Sequence, residues 1–166
     1  MMRILVAGVG NRLMGDDGFG PRVVELLSSR PLPEGVEVRD IGTAGLTIAT
    51  DLEEYDGVIF LDSMEGEGEP GTLRRMRLEV EGGDVEGLAR VTLHEVGLEG
   101  LLRFAEALGV LPRETYVIGC KPGSVEPRLS LSAEVEEAAH RAVELVLETI
   151  EEIKKKRRTL RRSGSP

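Results

Sequence analysis

The sequence predicts an α/β fold: a single three-layer domain in which a mostly parallel, twisted sheet of about five strands carries helices on both faces. Two observations lead to this prediction. Short apolar runs alternate along the chain with stretches of helical periodicity, a pattern typical of a parallel sheet covered by helices. The length of 166 residues is that of one ordinary domain.

Six short apolar runs are predicted to be strands. They are residues 3–7, 36–39, 57–61, 73–78, 90–93 and 115–119. The run 73–78 differs from the others because it contains Arg74, Arg75 and Arg77. Charges of this kind suit an exposed edge strand, so we expect this run at the edge of the sheet.

Four helices are predicted between and after these strands. They are residues 20–29, 45–55, 98–108 and a last helix that begins at Ser132. Pro21 stands in the first turn of the first helix, where its missing N–H costs nothing. Ser132 is a favourable N-cap. The apolar stripe from Val135 to Ile153 predicts that the last helix buries one face against the sheet.

Charge is distributed unevenly along the chain. Residues 154–166 contain seven Lys and Arg and no acid, whereas residues 1–153 sum to −16. We therefore expect an α/β domain over 1–153 followed by a basic, flexible tail over 154–166. The acidic domain argues against nucleic acid as a partner, because binding its backbone needs clustered positive charge.

Other features of the composition indicate the setting of the protein. No apolar run approaches the ~20 residues that cross a bilayer, so no membrane association is expected. The lone Cys120 cannot form an internal disulfide, which favours the cytoplasm. The chain has no Gln and a single Asn, Asn11, beside abundant Glu and Arg, a pattern typical of thermophiles.

The loop after the first predicted strand, residues 8–20, resembles a phosphate loop with the wrong charge. Gly10 and Gly15 have the spacing of a Walker-type loop, but Asp16 and Asp17 stand where Lys and Ser/Thr belong. Two carboxylates repel a triphosphate. The loop is therefore better suited to hold a cation than an anion.

A Rossmann-like nucleotide site is the competing interpretation of the same segment. Gly8 and Gly10 follow the first strand and Asp40 ends the second. The dinucleotide fingerprint nevertheless fails at its third glycine, because position 13 is Leu13.

Polar residues at the ends of the predicted strands suggest a metal site. In an open α/β sheet ligands bind beyond the carboxyl ends of the strands, where Asp17, Asp62 and His94 all fall. Two carboxylates and an imidazole suit a divalent metal. Each also has a structural alternative: Asp62 could cap the loop after its strand, Asp16 or Asp17 could cap the following helix, and His94 could be a hydrogen-bonded loop residue. Asn11 either takes a positive-φ turn position or contributes to the site.

Two further reactive residues are assigned structural roles. Cys120 follows the last predicted strand, but no His and Asn or Asp partner lies near it in sequence, and a buried thiol is the commoner case. His140 lies inside the last helix and is interpreted as structural or exposed.

A set of short motifs occurs in a characteristic order along the chain. They are Gly8-Val9-Gly10-Asn11, Asp16-Asp17-Gly18-Phe19-Gly20, Gly42-Thr43-Ala44-Gly45, Asp62, His94, Val117-Ile118-Gly119, Pro122 and Glu126-Pro127. This ordered set, which extends over about residues 3–150, resembles the hydrogenase maturation proteases.

The resemblance implies an endopeptidase that removes a C-terminal extension from the precursor of a nickel-iron hydrogenase large subunit after nickel insertion. By position, Asp17, Asp62 and His94 would be both the metal ligands and the catalytic residues. The resemblance also implies substrate-binding residues, with Asp40 first among them. They are Asp40, Gly42, Thr43 and Asn11.

The implied cofactor is a divalent metal, and its source defines the mechanism. The resemblance favours nickel supplied by the precursor over a metal held permanently by the protease, and the chain has no His-Glu-x-x-His zinc helix. Two other functions stay open: the Rossmann-like nucleotide-binding protein, and a non-catalytic chaperone that senses nickel in the precursor.

Overall fold

One five-stranded sheet organises the computed structural model, which describes residues 2–43, 45–79 and 98–163. The strands are β1 (Ile4–Val9), β2 (Val36–Gly42), β3 (Gly57–Ser63), β4 (Leu73–Leu78) and β5 (Glu114–Cys120). Their spatial order is β2-β1-β3-β5-β4. All neighbours are parallel except β4, which pairs antiparallel with β5. The arginine-rich run is thus an edge strand, as predicted, and the predicted strand 90–93 lies outside the described residues.

Three α-helices and two 3₁₀ helices accompany the sheet in the described part of the chain. They are α1 (Phe19–Ser28), α2 (Leu98–Leu108), α3 (Ala133–Ser163) and the 3₁₀ helices Gly15–Gly18 and Gly45–Glu54. The α-helix predicted over 45–55 was wrong in type, because the structure forms a 3₁₀ helix there. Its β-branched Ile48 and Thr50 lower the preference for an α-helix.

The last helix is longer than the charge pattern suggested. Helix α3 continues to Ser163. The basic segment predicted as a tail over 154–166 therefore begins inside this helix and not after it. Two basic side chains hold this extension to the sheet: the Lys156 ammonium donates to the Tyr116 hydroxyl (2.9 Å), and Arg157 pairs with Asp56 (2.7 Å). Among the helices of the described ranges, none is both long and apolar enough to cross a membrane.

Two apolar cores lie on opposite faces of the sheet. Alternate residues of β1 supply them, because successive side chains of a strand point to opposite faces. Ile4 and Val6 pack with α1 and α3, and Leu5 packs with α2 and the 3₁₀ helix Gly45–Glu54. Helices therefore cover both faces, which confirms the predicted three-layer fold.

Two glycines let the first loop fold tightly over the ends of the strands. Gly10 has a φ of +133°, and a Cβ there would lie 2.0 Å from the Asp17 carbonyl oxygen. A Cβ on Gly20 would lie 2.3 Å from the carbonyl oxygen of Leu61 in β3. Any larger residue would push the loop and the start of α1 away from the sheet.

Asp16 fastens this loop to the segment between β5 and α3. Its side chain is fully buried and accepts hydrogen bonds from the Gly123, Ser124 and Ser132 N–H groups and from the Ser132 hydroxyl, at 2.7–3.0 Å. Burial alone would raise the pKa of Asp16, but these hydrogen bonds outweigh it and hold the pKa below its usual value. The buried charge is therefore satisfied by four donors.

We expect Asp16→Ala to lower the free energy of unfolding by about 3 kcal/mol or more, because it leaves buried donors unsatisfied. Urea denaturation measures this effect. The lowered pKa of Asp16 means that its contribution is present near neutral pH and is lost as the pH falls through the folded-state value. Asp51→Ala is the control, since Asp51 forms an exposed ion pair; equal losses in both variants would refute the structural role of Asp16.

Candidate functional site

The candidate site lies at the carboxyl ends of β1 and β3, which are parallel neighbours in the middle of the sheet. The chain leaves β1 through α1 to reach β2 on one side, and it reaches β3 on the other side through the 3₁₀ helix Gly45–Glu54. Ligands of open α/β sheets bind at such a change of direction. The loop after β1 supplies Asp17 here, and β3 supplies Asp62 and Ser63.

Asp17 is held by one donor on each carboxylate oxygen. The Asn11 N–H donates to Oδ2 at 2.8 Å, and the Ser63 hydroxyl donates to Oδ1 at 2.9 Å. Each oxygen keeps lone pairs for another partner, because a carboxylate oxygen accepts more than one bond. The side chain is partly buried, so Asp17 is oriented and remains partly accessible.

Asp62 has an unusual proton affinity. Burial and the negative charge of Asp17 together raise its pKa to about 7, against the weaker effect of its bond to the Ser63 backbone. A proton or a cation shared by the two carboxylates would relieve this repulsion. The pair is therefore chemically suited to a divalent metal.

His94, the third residue of the predicted trio, lies outside the described residues. The structure accordingly brings together two members of the trio and leaves the third undescribed. Within residues 2–43, 45–79 and 98–163, no group of three or more His, Cys, Asp or Glu side chains is arranged to hold a metal.

Asp40 lies near the end of β2 beside the same loop. Its Oδ1 accepts the Gly42 N–H at 2.9 Å, and its Oδ2 accepts from Arg12 at 3.2 Å. The Gly42 carbonyl in turn accepts the Gly10 N–H at 3.0 Å. The predicted substrate-binding residues Asp40 and Gly42 are thus tied to the loop that carries Asp17, and Thr43 is exposed next to them.

Asn11 combines a turn with a contact to the site. Its side-chain oxygen accepts the Leu13 N–H at 2.9 Å, which forms an Asx turn. The positive φ considered for Asn11 was wrong, because every positive-φ residue in the described ranges is glycine. Its N–H donates to Asp17, so an amide that a phosphate loop would offer to a nucleotide is already used.

Ser63 and Arg12 were missed as site residues. The sequence did place Ser63 directly after Asp62 and Arg12 directly after Asn11. Nothing in that adjacency indicated that Ser63 would reach Asp17 or that Arg12 would reach Asp40. Both contacts join residues distant in sequence.

The remaining reactive residues take structural places. Cys120 is fully buried, and burial, together with the charge of Asp16, raises the pKa of its thiol to about 11. A thiol so rarely ionised is a poor nucleophile. His140 is exposed on α3 and lies 3.3 Å from Glu136 of the same helix.

Comparison with known proteins identifies the family of this chain. The hydrogenase maturation protease family model (HycI) matches residues 21–149. This chain belongs to the hydrogenase maturation protease family. As a member it is a peptidase, and the resemblance drawn from the ordered motifs is confirmed.

Individual relatives match over nearly the whole chain. The hydrogenase 2 maturation protease of Escherichia coli K12 is 36% identical over 155 residues, covering 91% of this chain and 92% of the relative. The crystal structure of the hydrogenase 2 maturation peptidase from Thaumarchaeota archaeon SCGC_AB-539-E09 has 67% identity and a TM-score of 0.72, covering 89% and 97%. The hydrogenase maturating endopeptidase HybD from E. coli has 35% identity and a TM-score of 0.71, covering 91% and 93%.

The raised pKa of Asp62 in this maturation protease predicts a pH dependence. We expect the Asp62 carboxyl carbon to titrate in NMR spectra with a midpoint near 7, and Ni²⁺ or Cd²⁺ binding by the isolated protein to strengthen as pH rises through that value. Below the midpoint a proton occupies the carboxylate and competes with the metal.

Asp17→Asn should lower this midpoint, because it removes the negative charge that helps to raise the pKa. Asp51→Asn, which changes a side chain in the solvent-exposed ion pair with Arg39, should leave it unchanged. A wild-type midpoint near 4, the usual range of an aspartate, would contradict the electrostatic pairing of Asp17 and Asp62.

Proposed function

We propose that this protein removes the C-terminal extension from the precursor of a nickel-iron hydrogenase large subunit after nickel has been inserted, by metal-assisted peptide hydrolysis. Membership of the hydrogenase maturation protease family supports the substrate class. The single structural observation that carries the mechanism is the Asp17–Asp62 pair at the carboxyl edge of the sheet, whose mutual repulsion a cation would relieve.

In this proposal the nickel is part of the substrate. Asp17 and Asp62 supply carboxylate oxygens and His94 supplies an imidazole nitrogen to nickel that the precursor already carries. The metal polarises the scissile carbonyl or lowers the pKa of a bound water. Hydrolysis then adds the hydroxyl of that water to the carbonyl carbon and its proton to the departing amine.

The residues around the pair have distinct tasks. Ser63 and the Asn11 N–H keep the Asp17 carboxylate oriented, so that it loses little side-chain freedom when it meets the metal. Asp40 lies near the end of β2, beside the turn tied to the same loop, where its carboxylate can bind the precursor beside the cut. Gly42 holds this turn through its N–H and its carbonyl, and Thr43 is exposed next to it.

A proton on Asp62 competes with free metal for this site. With a pKa of about 7, Asp62 holds a proton much of the time near neutral pH, and free metal would have to displace it. Nickel bound to a precursor arrives with ligands of its own, so it needs fewer donors from the protease. Cleavage would then occur only after nickel loading.

Net charge and cysteine content indicate the setting of the reaction. The net charge of −16 over residues 1–153 disfavours nucleic acid as a partner of the domain. We place processing in the cytoplasm, on the basis that the lone cysteine forms no internal disulfide.

We expect Asp17→Ala, Asp62→Ala and His94→Ala each to slow processing of a nickel-loaded precursor by about a hundredfold or more, because each removes a ligand of the polarising metal. The measurement is the mobility shift of the precursor on a gel over time. His140→Ala is the matched control for His94, since His140 is exposed on α3, and Asp51→Ala serves for the aspartates.

Other results would favour other functions. Full cleavage by all three variants would eliminate the metal-ligand assignment. Binding of the nickel-loaded precursor without any shortening would indicate the chaperone that senses nickel. Binding of nicotinamide or adenine nucleotides without binding of Ni²⁺, Zn²⁺ or Cd²⁺ would indicate the Rossmann-like alternative.

We expect Asp40→Asn to raise KM for the precursor by about tenfold with little change in kcat, because Asp40 would contribute to binding and not to the reacting atoms. Steady-state processing rates at varied precursor concentration test this. Arg12→Ala removes the ion pair to Asp40 and should change KM less. A loss of kcat at unchanged KM would assign Asp40 to the chemical step.

A further inference from the structure

A basic cavity opens at the edge of the sheet opposite to Asp17 and Asp62. It has a volume of about 620 Å³ and lies between the end of β4, the start of β5 and the last turns of α3. Its charged lining consists of Arg77, Arg113, Lys155, Lys156, Glu114 and Glu152. Strand β5 separates the two edges by roughly 20 Å, at about 3.3 Å per residue, so this cavity does not belong to the candidate protease site.

Glu114 organises two of the cations at the base of the cavity. This carboxylate is 8% exposed, and it accepts from Arg77 at 3.0 Å and from the Tyr116 hydroxyl at 3.2 Å. Lys156 lies 3.7 Å from it and also donates to Tyr116 at 2.9 Å. The network holds the Arg77 and Lys156 head groups in place, which lowers the entropy that a ligand must remove on binding.

Two further cations have no carboxylate partner of their own. Glu152, the other acid of the lining, pairs with Arg75 at 3.0 Å. Among the contacts of the described residues, Arg113 and Lys155 form no ion pair, and both side chains are exposed. The lining therefore has four cations against two acids, whereas residues 1–153 as a whole sum to −16.

Stabilisation of a helix end does not account for this cluster. The helix dipole acts within the last turn of α3, which ends at Ser163, so it does not explain Lys155 and Lys156 about two turns earlier. Arg77 is one of the edge-strand charges of β4, whereas Arg113, in the segment before β5, has neither reason to be cationic. The volume is within the range of small-molecule sites, which a flat basic surface would not offer.

We propose that this cavity is a binding site for a small polyanion, an organic or inorganic molecule with at least two phosphate or carboxylate charges. Arg113 and Lys155 contact its charged groups directly, and Arg77 and Lys156 contribute charge from fixed positions. Arginine binds phosphate and carboxylate groups through paired N–H donors. The concave shape favours a small ligand over an extended acidic protein surface.

The test is isothermal titration calorimetry of the full chain with pyrophosphate and, separately, with citrate. We expect one of these anions to bind with a stoichiometry of one. Its affinity should weaken as the salt concentration rises from about 0.05 to about 0.5 M. The double variant Arg113→Ala/Lys155→Ala should bind about tenfold more weakly or not at all, since two charge-assisted contacts are lost.

A charge-matched control distinguishes binding in this cavity from general electrostatic attraction between the anion and the protein. Arg30→Ala/Arg39→Ala removes the same number of charges from other surfaces and should leave the affinity unchanged. Preference for pyrophosphate over citrate, or the reverse, identifies the charged group. Equal weakening in the two double variants, absence of heat with both anions, or binding of an acidic peptide alone would each overturn the proposal.

Discussion

The buried carboxylate of Asp16 is the contact on which the rest of the site depends. Its four hydrogen bonds join the loop after β1 to the segment before α3. A buried ion is stable only when its lone pairs are satisfied, so the two segments cannot separate without a large loss of free energy. With Asp16 fixed, the direction of the next residue is fixed as well. Asp17 faces Ser63 and Asn11 on the strand side of the loop.

Asp16 and Asp62, two acids near the carboxyl ends of the strands, have opposite environments. Asp16 is surrounded by donors, and its pKa is lowered. Asp62, which faces Asp17 across the ends of β1 and β3, is buried beside a like charge, and its pKa is raised to about 7. The close approach of Gly20 to β3 makes this arrangement possible, because a side chain there would move the loop outward. The close approach at Gly20 thus fixes the position of Asp17 beside Asp62, and the repulsion between these two acids determines their affinity for a proton or a cation.

The fold was predictable because its signals are local. The edge strand β4 and helix α2 have the predicted bounds, since arginine spacing and helical periodicity can be read over a few residues. The 3₁₀ helix Gly45–Glu54 was not predicted, because its apolar spacing also suits an α-helix. The bonds of Ser63 to Asp17 and of Arg12 to Asp40 span 46 and 28 residues. Such contacts follow from packing, and a single sequence does not encode them in a local pattern. The order of the motifs predicted Asp17 and Asp62 as site residues, whereas their electrostatic coupling became evident only in the structure.

In the proposed function the metal arrives with the precursor, and the electrostatics of the Asp17–Asp62 pair bear on that order of events. A protease that bound metal tightly by itself would cleave any precursor, whether or not nickel had been inserted. Cleavage would then no longer depend on nickel insertion. In the proposed function, two carboxylates make a weak metal site in isolation, and partial protonation of Asp62 near neutral pH lowers the metal affinity modestly further. The same oxygens bind the cation more readily when it is delivered with other ligands, because most of the entropy cost of assembling the coordination shell was met when the precursor bound the metal. In the proposed function, cleavage is thus conditional on nickel because the precursor brings the metal together with its other ligands.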